Sequence, residues 1–94
     1  MAIIHKKCWP EMFEKFNSGE RTIDYRLADF ELKNGDILVF EEYDPGKMEY
    51  TGREASFECK KVERSVRDPL LFYRPEDITR YGFWNIELEK KINP

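Results

Sequence analysis

The 94-residue chain predicts a single small α+β domain, residues 1–94, built as a β-barrel of five to six mostly antiparallel strands with one or two short helices. Three observations carry that expectation. Short segments with period-two alternation recur between Gly, Pro and Asn turns, the pattern of small β-domains. The segment Ile37 to Tyr43 opens with apolar residues on both of its faces, as a covered barrel strand does. Only Pro10 to Gly19 repeats its aromatics at helical spacing.

Ala2 to Cys8 reads as the first strand, with imperfect alternation. Trp9-Pro10 breaks it. Pro10 suits a first helical turn, where its fixed φ is pre-set and its missing N–H is not needed, and Glu11 lies near the positive end of the helix dipole. Phe13 and Phe16, with Trp9 and Met12, give the helix one apolar face. Gly19 ends it by supplying a positive φ.

Glu20 to Leu27 follows as a strand. Arg21, Ile23 and Tyr25 fall on one face, and Thr22, Asp24 and Arg26 on the other. Asp24 and Arg26 are then i, i+2 neighbours placed for a charge-assisted pair. Ala28 to Lys33 is a connection anchored by Phe30 and Leu32, and Asn34-Gly35-Asp36 is a turn. In the strand Ile37 to Tyr43, Leu38, Phe40 and Glu42 share a face with Asp36. Asp44 to Gly52 forms a long hairpin tip. Arg53 to Arg67 is a long strand whose apolar phase changes between Ala55, Phe57, Cys59 and Val62, Val66, predicting a bulge near Lys60-Lys61. Asp68 to Tyr81 is irregular, with one helical turn opened by Arg74-Pro75-Glu76-Asp77. Tyr81-Gly82 punctuates the chain, Phe83 to Leu88 is the closing strand, and Lys90 to Pro94 is a tail.

Composition narrows the function. A net charge of −3 argues against tight non-specific binding to a phosphate backbone, which needs a basic surface. The charge is nevertheless patterned: Arg53 to Arg67 holds five basic and three acidic residues, which leaves room for a local positive patch. One histidine and two cysteines, without Cys-x-x-Cys spacing, make no metal site and no disulfide framework. Cys8 and Cys59 read as free, inert thiols, and His5 as a structural strand residue. No apolar run reaches membrane-spanning length and the N-terminal stretch does not read as a signal peptide, so a cytoplasmic location is expected; the sequence leaves the oligomeric state open, with a monomer favoured. No cofactor motif is visible.

The stretch Gly19-Glu20-Arg21-Thr22-Ile23-Asp24-Tyr25-Arg26 resembles the signature of the ASCH family, small domains of the PUA-like superfold, written Gly-x-Lys-x-x-Glu-x-Arg. Gly19 and Arg26 match it; Arg21 stands in place of Lys and Asp24 in place of Glu. The flanking runs Lys7-Cys8-Trp9-Pro10-Glu11-Met12-Phe13 and Phe30 to Asp44 extend the resemblance over most of the chain. It implies a PUA-like barrel whose signature residues line a cleft that receives RNA, a nucleotide or a nucleoside.

Charged residues on a strand ordinarily make surface ion pairs worth little. With the resemblance, Arg21, Asp24 and Arg26 become candidate ligand contacts, since guanidinium groups bind phosphate bidentately or stack on a base. Lys7 would add charge there. Trp9 reads as a core anchor, its alternative being a stacking platform at the cleft rim. Of Tyr73, Arg74, Tyr81, Phe83 and Trp84, most read as core, with one or two walling the cleft within segment 68–81 and its flank. Some ASCH proteins are amidohydrolases acting on acylated cytidine through a Lys, a Thr and a later Glu. Here the corresponding set would be Arg21, Asp24 and Glu63, with Glu76 as a further candidate. Arg21 cannot give up its proton, so Asp24 would have to serve as the base. A third alternative is a protein-interaction module using the Asp44 to Gly52 tip.

Overall fold

A computed structural model describes residues 1–65 and 75–90, with the backbone alone at Pro75, Ile78 and Thr79. The expectations placed on Val66, Asp68 to Arg74 (with Leu70 and Tyr73) and Lys91 to Pro94 lie outside the described residues.

The chain runs β1 (Ile3–Cys8), α1 (Pro10–Ser18), β2 (Ile23–Leu27), β3 (Ile37–Asp44), β4 (Glu49–Ser65), α2 (Pro75–Tyr81) and β5 (Phe83–Lys90). The five strands form one mixed sheet in the order β1-β3-β4-β5-β2. It curls into a half-barrel in a small α+β fold. Three pairings are antiparallel, and β1 runs parallel to β3, with Cys8 opposite Glu42. The predicted bulge is present: the β4–β5 register shifts between Cys59 and Lys61. A second shift, between Glu41 and Tyr43, sits near the β3–β4 tip.

Alternation fills the interior. Leu38 and Phe40 of β3, Phe57 and Cys59 of β4 and Ile86 of β5 are buried, as are Ile37 and Val39 on the opposite face of β3. The helix α1 lays Phe13 and Phe16, one turn apart, onto this interior. The Phe16 ring centroid is 5.0 Å from Phe40, and Phe40 is 5.2 Å from Phe57. Gly19 ends α1 at φ 82°, with its N–H donating to the Phe16 carbonyl.

Two expectations are corrected. Trp9 is not a core anchor; it is 62% exposed, because it occupies the extended residue before the helix and only its carbonyl is engaged, by the Phe13 N–H. The signature strand begins at Ile23 rather than Glu20. The Arg21 N–H donates back to the Lys15 carbonyl, so Glu20 and Arg21 still belong to the turn that closes α1, and Thr22, whose carbonyl accepts from the Leu88 N–H, leads into the strand. Among the described residues, no helix is long and apolar enough to cross a membrane.

Candidate functional site

In the sheet order β1 and β2 are the two ends, and each pairs with only one neighbour. The curl brings them together at a seam closed by side chains. Asp24 of β2 points inward beside the buried Ile86, its pairing partner on β5, and is 6% exposed. Two residues on, Arg26 lies on the same face. Its Nε donates to Asp24 Oδ2 at 2.5 Å, and its Nη2 donates across the seam to the Lys7 carbonyl at 3.3 Å. The guanidinium carbon lies 5.0 Å from the Phe40 ring centroid. Carboxylate, carbonyl and ring therefore hold this cation in one orientation.

Burial pushes the Asp24 carboxyl above its ordinary range, and the Arg26 charge and hydrogen bond oppose that shift. Burial likewise pushes the Cys8 thiol up to about 11 and the Cys59 thiol up to about 12, so both are inert at neutral pH. Among the described residues, no group of histidine, cysteine and carboxylate side chains could hold a metal ion.

Arg26 also faces a concavity of about 190 Å³ at the seam, shared with Lys6, Leu27, Asp29 and Phe30. The Lys6 ammonium sits 3.8 Å from the Phe30 ring centroid. Two half-buried cations thus converge on one small hollow. Lys6 was legible from alternation, which puts it on the side of Ile4 and Cys8, yet no motif marked it.

The other sequence candidates go elsewhere. Arg21 bonds the Ile23 carbonyl at 3.0 Å, rests 5.8 Å from the Phe16 ring and lines a separate hollow with Lys15 and Thr22. The Lys7 side chain points outward, over the Tyr43 ring at 4.2 Å, and only its carbonyl meets Arg26. Glu63 pairs with Lys61 at 3.0 Å. It neighbours Val62, which shares a cross-strand row with Ile86 and Asp24, so alternation puts Glu63 on the opposite face. Arg21, Asp24 and Glu63 are therefore not assembled into one constellation. Glu76, on α2, is exposed.

A buried polar network at the other end of the interior had no sequence motif. Glu42, 5% exposed, accepts from the Thr51 hydroxyl at 2.6 Å and lies 3.7 Å from Arg53, which also pairs with Glu14 of α1. The inward phase of Leu38 and Phe40 was its only signal.

The fold is similar to that of a solved structure, the crystal structure of hypothetical protein PH0355, with a TM-score of 0.71 at 20% identity, covering 97% of this chain and 100% of that one. No curated protein matches the chain. A family model described as a domain of unknown function, DUF3850, matches residues 4–71, and the chain belongs to that family.

Proposed function

We propose that this domain is an ASCH-like, PUA-like module that binds RNA or a nucleotide in the cytoplasm, with the seam between β1 and β2 as its ligand cleft. The observation that carries the reading is Arg26: a cation fixed by Asp24 and the Lys7 carbonyl, converging with Lys6 on a hollow of about 190 Å³. Such a pre-set guanidinium suits the oxygens of a phosphate. The negative net charge of −3 favours a ligand held at one site over a long electrostatic track. Within this reading Arg26 contacts the ligand, Asp24 orients Arg26, and Arg21 serves a neighbouring hollow.

Titration with nucleotides and with fluorescein-labelled single-stranded RNA tests it. Lys6→Ala and Arg26→Lys should each weaken binding by about tenfold or more, the scale of one charge-assisted contact. Unchanged affinity in both variants would remove the cleft.

A further inference from the structure

The Ala28 to Lys33 connection separates two hollows and belongs to both. On one side is the seam cleft with Lys6 and Arg26. On the other is a hollow of about 520 Å³, with Phe30, Tyr81 and Trp84 among its walls and Lys33 and Arg64 beside them. Asp29 and Phe30 line both hollows.

The dividing wall is held from several directions. The Ala28 N–H donates to the Gly82 carbonyl at 2.8 Å, the Trp84 indole N–H to the Phe30 carbonyl at 2.9 Å, and the Lys33 N–H to Asp36 Oδ2 at 2.9 Å. Leu32 is buried beneath it. On the far side Arg64 donates to the Tyr81 carbonyl from Nε at 3.0 Å and from Nη2 at 2.5 Å. The surface is therefore set before any ligand arrives, which lowers the ordering cost of binding.

We propose that the two hollows are one bipartite site for a nucleoside monophosphate unit, either free or as part of an RNA strand. The phosphate sits against Lys6 and Arg26, the base enters the aromatic hollow, and the ribose passes over Asp29. This rests on the cleft reading above and adds the base-binding half. The sizes divide the ligand: about 190 Å³ suits a phosphate group, whereas about 520 Å³ falls in the range of pockets that hold a planar organic ligand. The chemistry divides it the same way. Phe30, Tyr81 and Trp84 give the larger hollow an aromatic lining suited to a base, and cations in the smaller one face an anion. Asp29, an acceptor when ionised, stands where the ribose hydroxyls would donate. Lys33 and Arg64 balance Asp29 and Glu31 in the larger hollow, and Lys6 and Arg26 in the smaller one give the groove as a whole its excess of cations, at the end where the phosphate sits.

Fluorescence isolates the base-binding half, because the chain has two tryptophans and Trp9 lies outside the groove. In a Trp9→Phe background, the reporter is Trp84. A nucleoside 5′-monophosphate should quench it saturably, inorganic phosphate should bind without quenching, and an unphosphorylated nucleoside should quench only at much higher concentration. Tyr81→Ala should weaken the monophosphate about tenfold and leave inorganic phosphate unchanged. The exposed Lys33→Glu should also weaken the monophosphate, which provides a second reading if Tyr81→Ala does not fold. Quenching by short single-stranded RNA but not by the free nucleotide would assign the site to the polymer. Monophosphate and phosphate binding equally, without quenching and without sensitivity to either variant, would overturn the bipartite site while leaving the Arg26 cleft in place. Binding of none of the ligands would overturn both.

Discussion

Arg26, on the last strand of the sheet order, donates from Nη2 to the backbone carbonyl of Lys7, on the first, at 3.3 Å. An edge carbonyl that would otherwise seek water or another chain is thus bound by a side chain from the opposite edge. The curled sheet closes through a guanidinium where a ladder of backbone bonds is absent. The same guanidinium balances the buried Asp24, so one residue serves both the closure and the charge of the interior.

Removing that cation should therefore cost more than a surface ion pair. Arg26→Met leaves Asp24 buried without its partner and should destabilise the domain by about 2–4 kcal/mol, somewhat below the figure for fully buried pairs because the Arg26 side chain is 21% exposed. Adding Asp24→Leu should return much of the loss, since an apolar replacement of both partners leaves no uncompensated charge. Urea unfolding of the wild type, the single variant and the double variant measures this. Losses that simply add would mean the two side chains are uncoupled.

Two aspartates should give pH dependences of opposite sign. Asp24 is raised above the ordinary 3.8 by burial, so the folded state holds its proton more tightly than the unfolded chain. Its favourable contribution is full below that value and is lost as pH rises through the folded value. Asp36 is lowered, chiefly because the N–H groups of Ala2 and Lys33 donate to its carboxylate. Its contribution is full above 3.8 and is lost as pH falls through the folded value beneath it. Relative to Asp24→Asn, the wild type should lose stability on going upward from pH of about 4, whereas relative to Asp36→Asn it should lose stability on going downward. Denaturant midpoints across pH 3 to 8 decide. A wild type that gains on Asp24→Asn with rising pH would show Arg26 outweighing the burial of Asp24.

How much of this was legible follows from the range of the forces involved. Gly19, Pro10 and the alternation of Ile37 to Tyr43 act within a few residues, and the helix, its end and the central strand appear where the sequence put them. The bulge at Lys60-Lys61 was legible because a change of apolar phase along one strand is itself local. The side chains around the seam were only partly so. Alternation paired Asp24 with Arg26, but it carried Arg21 into the strand, because the bond from Arg21 N–H to the Lys15 carbonyl that holds it in the helix end has no sequence signature. Trp9 resembles a core residue by composition, but it occupies the extended position between β1 and α1 and lies in solvent. Lys6 joins Arg26 solely through the curl that brings the two sheet ends together.

The Glu42 network should be sensitive to one hydroxyl. The carboxylate is 5% exposed and Thr51 Oγ1 donates to it at 2.6 Å, while the same oxygen accepts from the Arg53 N–H at 3.2 Å. Thr51→Val keeps the shape and removes both bonds, so it should cost about 1–3 kcal/mol, the range for leaving a buried acceptor unsatisfied. Thr51→Ser should restore most of it. Equal midpoints for the Val and Ser variants would mean that Arg53 alone satisfies Glu42.

Gly82 and Gly19 both have positive φ, 75° and 82°, and their alanine variants should nevertheless differ. At Gly19 an added Cβ meets nothing within 4 Å, so Gly19→Ala bears only the left-handed backbone cost of about 1–2 kcal/mol. At Gly82 the same atom would lie 2.8 Å from the Ser65 carbonyl oxygen and 3.1 Å from Arg64 Nε. That carbonyl belongs to the end of β4, where Ser65 pairs with Phe83, so it cannot retreat without opening the ladder. Gly82→Ala should therefore exceed Gly19→Ala by about 1 kcal/mol or more, adding close contact to backbone strain. It should also shift the Ala28 N–H bond to the Gly82 carbonyl, visible as faster exchange of that amide. Equal losses at the two glycines, with the Ala28 amide unchanged, would mean that the β4–β5 end yields freely.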